Sequence, residues 1–343
     1  MSESKLRTMS MDFCCADYQP LPHFMPRLAV SHPETVFARR IVFPAKNTLP
    51  PPAARDTLIT WHKMKGERMR AALIQMRVTD DKEHNLDIAA KHIAEAKSNG
   101  ADMAVLPEMF CCPYSGKYFP AFAEERGGRI WSRLSRCARE NKLLLIGGSM
   151  PERCGDKLFN TCFVFDETGR ETAFHRKMHL FDIDVKGGQR FKESDTFAAG
   201  SDITVFDSAQ GRFGVMICFD VRFPELARLM ALDGAQAIIV PAAFNMTTGP
   251  MHWESTFRQR AVDNQLFMLG CAPARDESAE YVSYANSIAA DPWGGVTARA
   301  GSGECVLFAD IDLQGIHEAR EQLPLLSARR TDVYSLTRTR LGD

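Results

Sequence analysis

The chain has 343 residues, of which 45% are hydrophobic and 25% charged, with a formal net charge of −1 and an isoelectric point near 6.8. That balance argues against a basic nucleic-acid binder or a polybasic membrane-surface protein and leaves enough apolar residues for a large core. No apolar stretch approaches the roughly 20 residues that span a bilayer, so a soluble protein acting on a small molecule is expected, with neither nucleic acid nor membrane as a partner. The ten cysteines are scattered, without a C-x-x-C pair, and no helix carries two histidines at metal-ligand spacing. A reducing compartment, no metal and no disulfide framework are therefore expected.

Residues 1–67 are broken by Pro20, Pro22, Pro26, Pro33, Pro44 and the run Pro50-Pro51-Pro52. They read as a Pro-rich N-terminal extension without ordered structure rather than as a domain. Lys5, Arg7, Arg27, Arg39, Arg40, Lys46 and Arg55 permit a mitochondrial leader, while Glu3, Asp12 and Asp17 oppose one, and Met64 and Met69 offer alternative starts of translation. A cytoplasmic location is expected, with mitochondrial entry as the alternative.

From Arg70 onward the pattern is regular. Ala71–Met76 reads as a strand, and Leu86, Ala89, Ala90 and Ile93 mark an amphipathic helix ended near Gly100. A strand leads through Met103-Ala104-Val105-Leu106-Pro107 to Glu108. A helix near 125–140 and strands at Leu143–Gly148 and Phe159–Asp166 follow, then a basic turn, Phe174-His175-Arg176-Lys177. The apolar run Phe213–Phe219 contains Cys218 and precedes a helix over 222–232. Beyond it come the strand Ala237–Pro241, a helix at 252–264, the strand Leu266–Gly270, and strands near 285–290 and 304–310. Interleaved strands and helices predict an α/β fold with at least one helix-covered sheet.

Three of these stretches carry chemistry. A thiol placed where a buried strand turns into a helix has backbone N–H groups and a helix N-terminus nearby, and both favour the thiolate; Cys218 occupies that position. Glu108 is a carboxylate that an apolar setting would tune upward into a base near neutral pH. Lys177, helped by the Phe219 N–H, would balance the charge of a tetrahedral oxyanion. Each also has an ordinary reading: a small buried hydrophobe for Cys218, a solvated strand end for Glu108, and an exposed basic face for Lys177 with His175, Arg176 and His179. A nucleotide-binding α/β protein is excluded, because Gly147-Gly148-Ser149 lacks G-x-G-x-x-G spacing.

Together the segments Leu106-Pro107-Glu108, His175-Arg176-Lys177-Met178-His179-Leu180 and Gly214-Val215-Met216-Ile217-Cys218-Phe219-Asp220-Val221-Arg222-Phe223-Pro224-Glu225 resemble the nitrilase superfamily of carbon–nitrogen hydrolases, whose members use a Glu-Lys-Cys triad in that order. A second glutamate of that family matches Glu193 in Phe191-Lys192-Glu193-Ser194. The resemblance runs from residue 70 to about 336. It implies a hydrolase domain over 68–343 with a C-terminal tail from about 324, a four-layer α-β-β-α sandwich, no cofactor, and homodimers or larger homo-oligomers in which the tail crosses to a neighbour. The apolar Leu323-Pro324-Leu325-Leu326 and Tyr334 fit such docking.

The stretch Ala243–Glu254, together with Pro273-Ala274-Arg275-Asp276, Asn286-Ser287 and Asp291-Pro292-Trp293-Gly294, resembles the ω-amidase branch. That likeness implies hydrolysis of the terminal amide of 2-oxoglutaramate or 2-oxosuccinamate through a cysteine thioester. Such substrates carry an α-carboxylate, so a cation and hydroxyls are expected at the far end of the pocket. Arg222 is the candidate cation, with Tyr114, Thr247 and Thr248 as hydroxyl donors. Arg222 could equally pair with Glu225 or Asp220, and Trp253 and His252 read as helix capping and packing residues. Cys111-Cys112 stands where relatives usually carry small polar residues, and Asp263 where many carry Glu. The alternatives are another carbon–nitrogen hydrolase, such as a carbamoyl-amide hydrolase or an aliphatic amidase, and a non-catalytic binding member of the fold.

Overall fold

Every second residue of β1 (Arg68–Gln75) faces a different apolar layer, and that alternation generates the architecture. Ala71 and Leu73 enter one core with Met103, Val105, Leu144, Ile146, Val215 and Ile239. Ala72 and Ile74 enter another with Leu86, Ala89, Ile93, Ile130 and Leu134. The computed structural model describes residues 68–339, all within the unit 60–343; the extension expected over 1–67 lies outside the described residues.

The first half continues with α1 (Lys82–Ser98), capped by Asp81, whose side chain accepts from the His84 N–H at 3.0 Å. Then come β2 (Met103–Val105), α2 (Phe119–Phe122), β3 (Glu124–Glu125), α3 (Arg129–Asn141), β4 (Leu144–Ile146), β5 (Met150–Cys154), β6 (Lys157–Phe165) and β7 (Glu171–Arg176). A hairpin of β8 (Asp182–Asp184) and β9 (Arg190–Lys192) runs into a 3-10 turn, Glu193–Asp195. The second half holds β10 (Thr204–Ser208), β11 (Gly211–Val215), the 3-10 turn Cys218–Arg222, α4 (Pro224–Leu232), β12 (Ala237–Pro241), α5 (Gly249–Asn264), β13 (Phe267–Cys271), β14 (Ile288–Ala290) and β15 (Val296–Arg299). β16 (Cys305–Asp312) and α6 (Gln314–Gln322) end it.

One sheet runs β16-β1-β2-β4-β6-β5-β3 with β7 also on β6, and the other runs β10-β11-β12-β13-β14-β15. β16 returns to the first sheet, antiparallel to β1, and so ties the two halves together. The β1-β2-β4 and β11-β12-β13 ladders are parallel, and buried parallel strands need apolar side chains on both faces, which Ala237-Ile238-Ile239-Val240 supplies. α1 and α3 cover the first sheet; α4 and α5 cover the second, with Trp253 and Phe257 fully buried against it. The result is the four-layer α-β-β-α sandwich, with the inner core between the sheets.

Several elements differ from the sequence reading. β2 ends at Val105 and β11 at Val215, so Glu108 and Cys218 sit on the turns beyond the strands rather than at their last residues. Of the basic stretch expected at a strand end, Phe174-His175-Arg176 closes β7 and Lys177 follows it, and His175 and Lys177 are buried rather than on an exposed face. Polar outward residues hid β10, α6 and the β8–β9 hairpin, whose side chains show little apolar periodicity.

Candidate active site

The connections after β2, β7 and β11 bring three charged or nucleophilic groups together. Glu108 follows Pro107, whose carbonyl accepts from the Ser149 N–H at 3.2 Å, while the Met109 N–H donates to Ser149 Oγ at 3.1 Å. Gly148, at φ +63°, makes this clasp possible: a Cβ there would lie 2.4 Å from the Pro107 oxygen. Gly147-Gly148-Ser149 therefore brackets the carboxylate rather than binding phosphate.

Lys177 Nζ lies 2.8 Å from Glu108 Oε1 and 2.7 Å from Glu193 Oε2. Among the described residues its third ammonium hydrogen has only the Tyr114 oxygen, at a longer 3.3 Å. Asn160, from β6, donates to Glu108 Oε1 and to Glu193 Oε1, each at 2.9 Å, and the Phe181 N–H donates to Glu193 Oε2 at 2.7 Å. Glu108, Lys177, Glu193 and Asn160 are at most 1% exposed, so the charges answer one another rather than water.

Two carboxylates around one ammonium leave this cluster one negative charge in excess. Burial, with the Glu193 charge added, raises the Glu108 carboxyl above its ordinary value despite the opposing pull of Lys177. Burial works against the Lys177 charge, but Glu108, Glu193 and Cys218 outweigh it and hold the ammonium firmly protonated. Glu108 Oε1 takes the donors, whereas Oε2 has no hydrogen-bond partner among the described residues, and the carboxyl interacts electrostatically with the neighbouring Cys218 thiol.

Cys218 opens the 3-10 turn in the left-handed region, at φ +46°, an uncommon conformation for a residue with a Cβ. Its sulfur accepts from the Ala243 N–H at 3.5 Å. Burial and the Glu108 charge push the thiol well above its ordinary value, against the pull of Lys177 and the Ala243 N–H. The N–H groups of the turn favour the thiolate, as the sequence predicts, but desolvation in this enclosed site outweighs them, which agrees with the expectation that a base, Glu108, takes the proton. The Phe219 N–H precedes the first bond of the turn, from the Asp220 N–H to the Ile217 oxygen at 3.1 Å.

Asp220, missed as a site residue in the sequence, joins the Lys177 and Cys218 segments. Its Oδ1 accepts from the His179 N–H and faces His179 Nδ1, at 2.9 and 2.8 Å; Oδ2 accepts from the Ile217 N–H and faces His175 Nε2, at 3.1 and 3.0 Å. Burial would raise this carboxyl, but the bonds from His175 and His179 overcome it and hold the group far below the usual carboxylate range. The available signal was two histidines flanking Lys177 at equal spacing. Asn160 had one too, as the amide in the apolar strand β6.

Among the other candidates, Tyr114 is 8% exposed and its hydroxyl lies 3.4 Å from Glu108 Oε1. Tyr281, not singled out in the sequence, packs against Tyr114 in a tilted pair with ring centroids 4.6 Å apart and donates its hydroxyl to the Ala243 carbonyl. Arg222 forms no ion pair with Glu225 or Asp220; its guanidinium lies over Phe244 at 4.5 Å and its Nη1 donates to His252 Nδ1 at 2.9 Å. Burial lowers its pKa, and Nε has no partner among the described residues. Thr248 Oγ1 is engaged by Asn245 Oδ1 at 3.0 Å, while Thr247 is exposed. Trp253 packs and donates to the Asn286 carbonyl at 2.7 Å.

A cavity of about 450 Å³ reaches Glu108 from the surface, lined by Tyr114, Tyr281, Ala243 and Cys112, with the Lys117–Glu280 pair on its wall. Cys111 and Cys112 are buried, and desolvation raises the Cys112 thiol well above its usual value. Among the described residues no group of three or more His, Cys, Asp or Glu is arranged to hold a metal ion, and no helix is long and apolar enough to cross a membrane.

A carbon–nitrogen hydrolase family model matches residues 70–321. The chain is 49% identical over 269 residues to the ω-amidase NIT2 of Xenopus tropicalis, covering 78% of this chain and 98% of that protein. It is 47% identical to the ω-amidase NIT2 of Bos taurus, covering 78% and 97%. The crystal structure of Saccharomyces cerevisiae Nit3, a member of branch 10 of the nitrilase superfamily, superposes with a TM-score of 0.71 at 39% identity, over 77% of this chain and 97% of that one. Because the matched segment holds the whole buried Glu-Lys-Glu cluster and the thiol beside it, this chain belongs to the carbon–nitrogen hydrolase family.

Proposed function

We propose that this enzyme is an ω-amidase that hydrolyses the terminal amide of short 2-oxo-dicarboxylic acid monoamides, 2-oxoglutaramate and 2-oxosuccinamate, to the dicarboxylate and ammonia. The observation that carries the reading is a buried thiol beside a raised carboxyl with one open oxygen, with a half-buried guanidinium nearby that has no carboxylate partner among the described residues.

In this scheme Glu108 takes the Cys218 proton and the sulfur adds to the amide carbon. The oxyanion faces the third hydrogen of Lys177 and the Phe219 N–H. Glu108 gives the proton to nitrogen, the C–N bond breaks and ammonia leaves a thioester on sulfur. Water then attacks, losing a proton to Glu108, and the C–S bond breaks as that proton returns to sulfur. Glu193 holds Lys177, Arg222 takes the α-carboxylate, and Tyr114 closes the pocket beside the reacting carbon. The likeness to the ω-amidase branch favours Thr247 and Thr248 as donors at the far end, which requires the Thr248 hydroxyl to leave Asn245.

Purified protein should release ammonia from 2-oxoglutaramate far faster than from glutamine or 3-ureidopropionate, and Cys218→Ala should abolish the release while leaving the fold intact. Preference for 3-ureidopropionate would turn the assignment to a carbamoyl-amide hydrolase; retained turnover in Cys218→Ala would refute the thioester route. Exposed Leu323, Val333 and Tyr334 support self-association through the C-terminal segment, which light scattering tests. The eight described cysteines are free, which supports a cytoplasmic location.

A further inference from the structure

His252 stands in the first turn of α5, where the sequence suggested a cap, yet its side chain does not cap that helix. Thr248 is the N-cap, held by Asn245, and the His252 backbone N–H makes an ordinary helical bond to the Thr248 oxygen at 2.9 Å. The imidazole instead reaches across to Arg222, whose Nη1 lies 2.9 Å from Nδ1. A guanidinium has no acceptor, so Arg222 donates and His252 Nδ1 is unprotonated.

The rest of the guanidinium's surroundings are unlike those of a structural arginine. Phe244 and Phe219 lie 4.5 and 5.7 Å from its central carbon, Nε has no partner among the described residues, and burial disfavours its charge. A carboxylate at position 252 would stabilise this cation but cancel the charge offered to a ligand. A neutral ring nitrogen fixes the fork without cancelling it.

We infer that His252 is a positioning residue for substrate selection: it orients the Arg222 fork with an uncharged acceptor, so that the guanidinium meets the α-carboxylate both aligned and uncompensated. The inference rests on Arg222 being the carboxylate binder. His252 is exposed and Arg222 is its side-chain partner, so substitution should leave folding untouched.

The test compares 2-oxoglutaramate with pentanamide, a neutral amide of the same chain length, and adds competitive inhibition by 2-oxoglutarate, which needs no turnover. His252→Ala should raise KM for 2-oxoglutaramate and Ki for 2-oxoglutarate about tenfold, the size of one hydrogen bond to a charged group, with kcat within about twofold. Pentanamide kcat/KM should hold within about twofold of wild type, a loss of one hydrogen bond sparing a substrate that never used it. His252→Asn, which returns a neutral acceptor near the Nδ1 position, should restore both constants. His252→Asp, which returns an acceptor with a charge, should bind 2-oxoglutarate worse than His252→Ala.

Equal losses on the two amides, or His252→Asp matching His252→Asn, would overturn the inference. Arg222→Gln separates the two levels. If it too fails to discriminate between the amides, the carboxylate role of Arg222 is wrong. If it discriminates while His252→Ala does not, only the role of His252 falls.

Discussion

Lys177 and Arg222 are cations drawn from water around the same thiol, and their surroundings are opposite. Lys177, wholly enclosed, is met by two carboxylates and an amide-braced cage, and its charge is fixed. Arg222, half-buried, is met by aromatic faces and one imidazole nitrogen, and its charge is disfavoured. The contrast separates two uses of a buried cation. On the roles proposed above, the cation that assists each turnover is neutralised by the protein, and the one that would select the substrate is left for the substrate to neutralise.

The largest effect should come from Lys177→Met, which leaves Glu108 and Glu193 facing each other without a counter-charge. Activity should fall by about 10³-fold or more and unfolding free energy by roughly 3–5 kcal/mol, read by steady-state kinetics and urea denaturation. A stable variant would show that the cage does not depend on the ammonium.

Asp220→Asn should cost about 3 kcal/mol, because it breaks the carboxylate that joins the two segments carrying these cations. The folded carboxyl is depressed, so its stabilisation is present above the ordinary carboxylate range and is lost as pH falls toward its lowered value. Wild type should therefore lose more stability than the variant on acidification below about pH 4, the unperturbed Asp value. Parallel pH–stability curves would contradict that assignment.

Arg222→Met sharpens the comparison most directly. It should lower kcat/KM for 2-oxoglutaramate about 100-fold, as expected for a lost charge-assisted pair, without the destabilisation of the lysine variant. Comparable unfolding penalties for the two variants would break the distinction.

The smallest effect is expected from Glu193→Gln, which keeps a hydrogen-bonding group beside Lys177. kcat should fall about tenfold, the size of one weakened charge-assisted bond. Removing this negative neighbour lowers the Glu108 pKa, so the acid limb of the kcat/KM profile should move to lower pH. An unmoved limb would dissociate Glu193 from the base.

What the chain order alone carried was local. The apolar runs of β1 and β12 and the helices α1 and α5 follow from which side chains can leave water, and a reader of the sequence could find them; that β1 divides its side chains between two cores could not be read there. The motif residues around Glu108, Lys177 and Cys218 were equally legible, because their order and wording carry a family likeness. The direction in which the thiol is shifted was not, since it depends on burial and on Glu108, Lys177 and the Ala243 N–H, which are far apart in order. Nor could spacing show that Asp220 binds both histidines beside Lys177, or that His252 faces Arg222 rather than its own helix. Those are contacts across layers, and a buried charge takes its pKa and its use from whatever the fold brings within about 3 Å, the reach of a hydrogen bond, rather than from its neighbours along the chain.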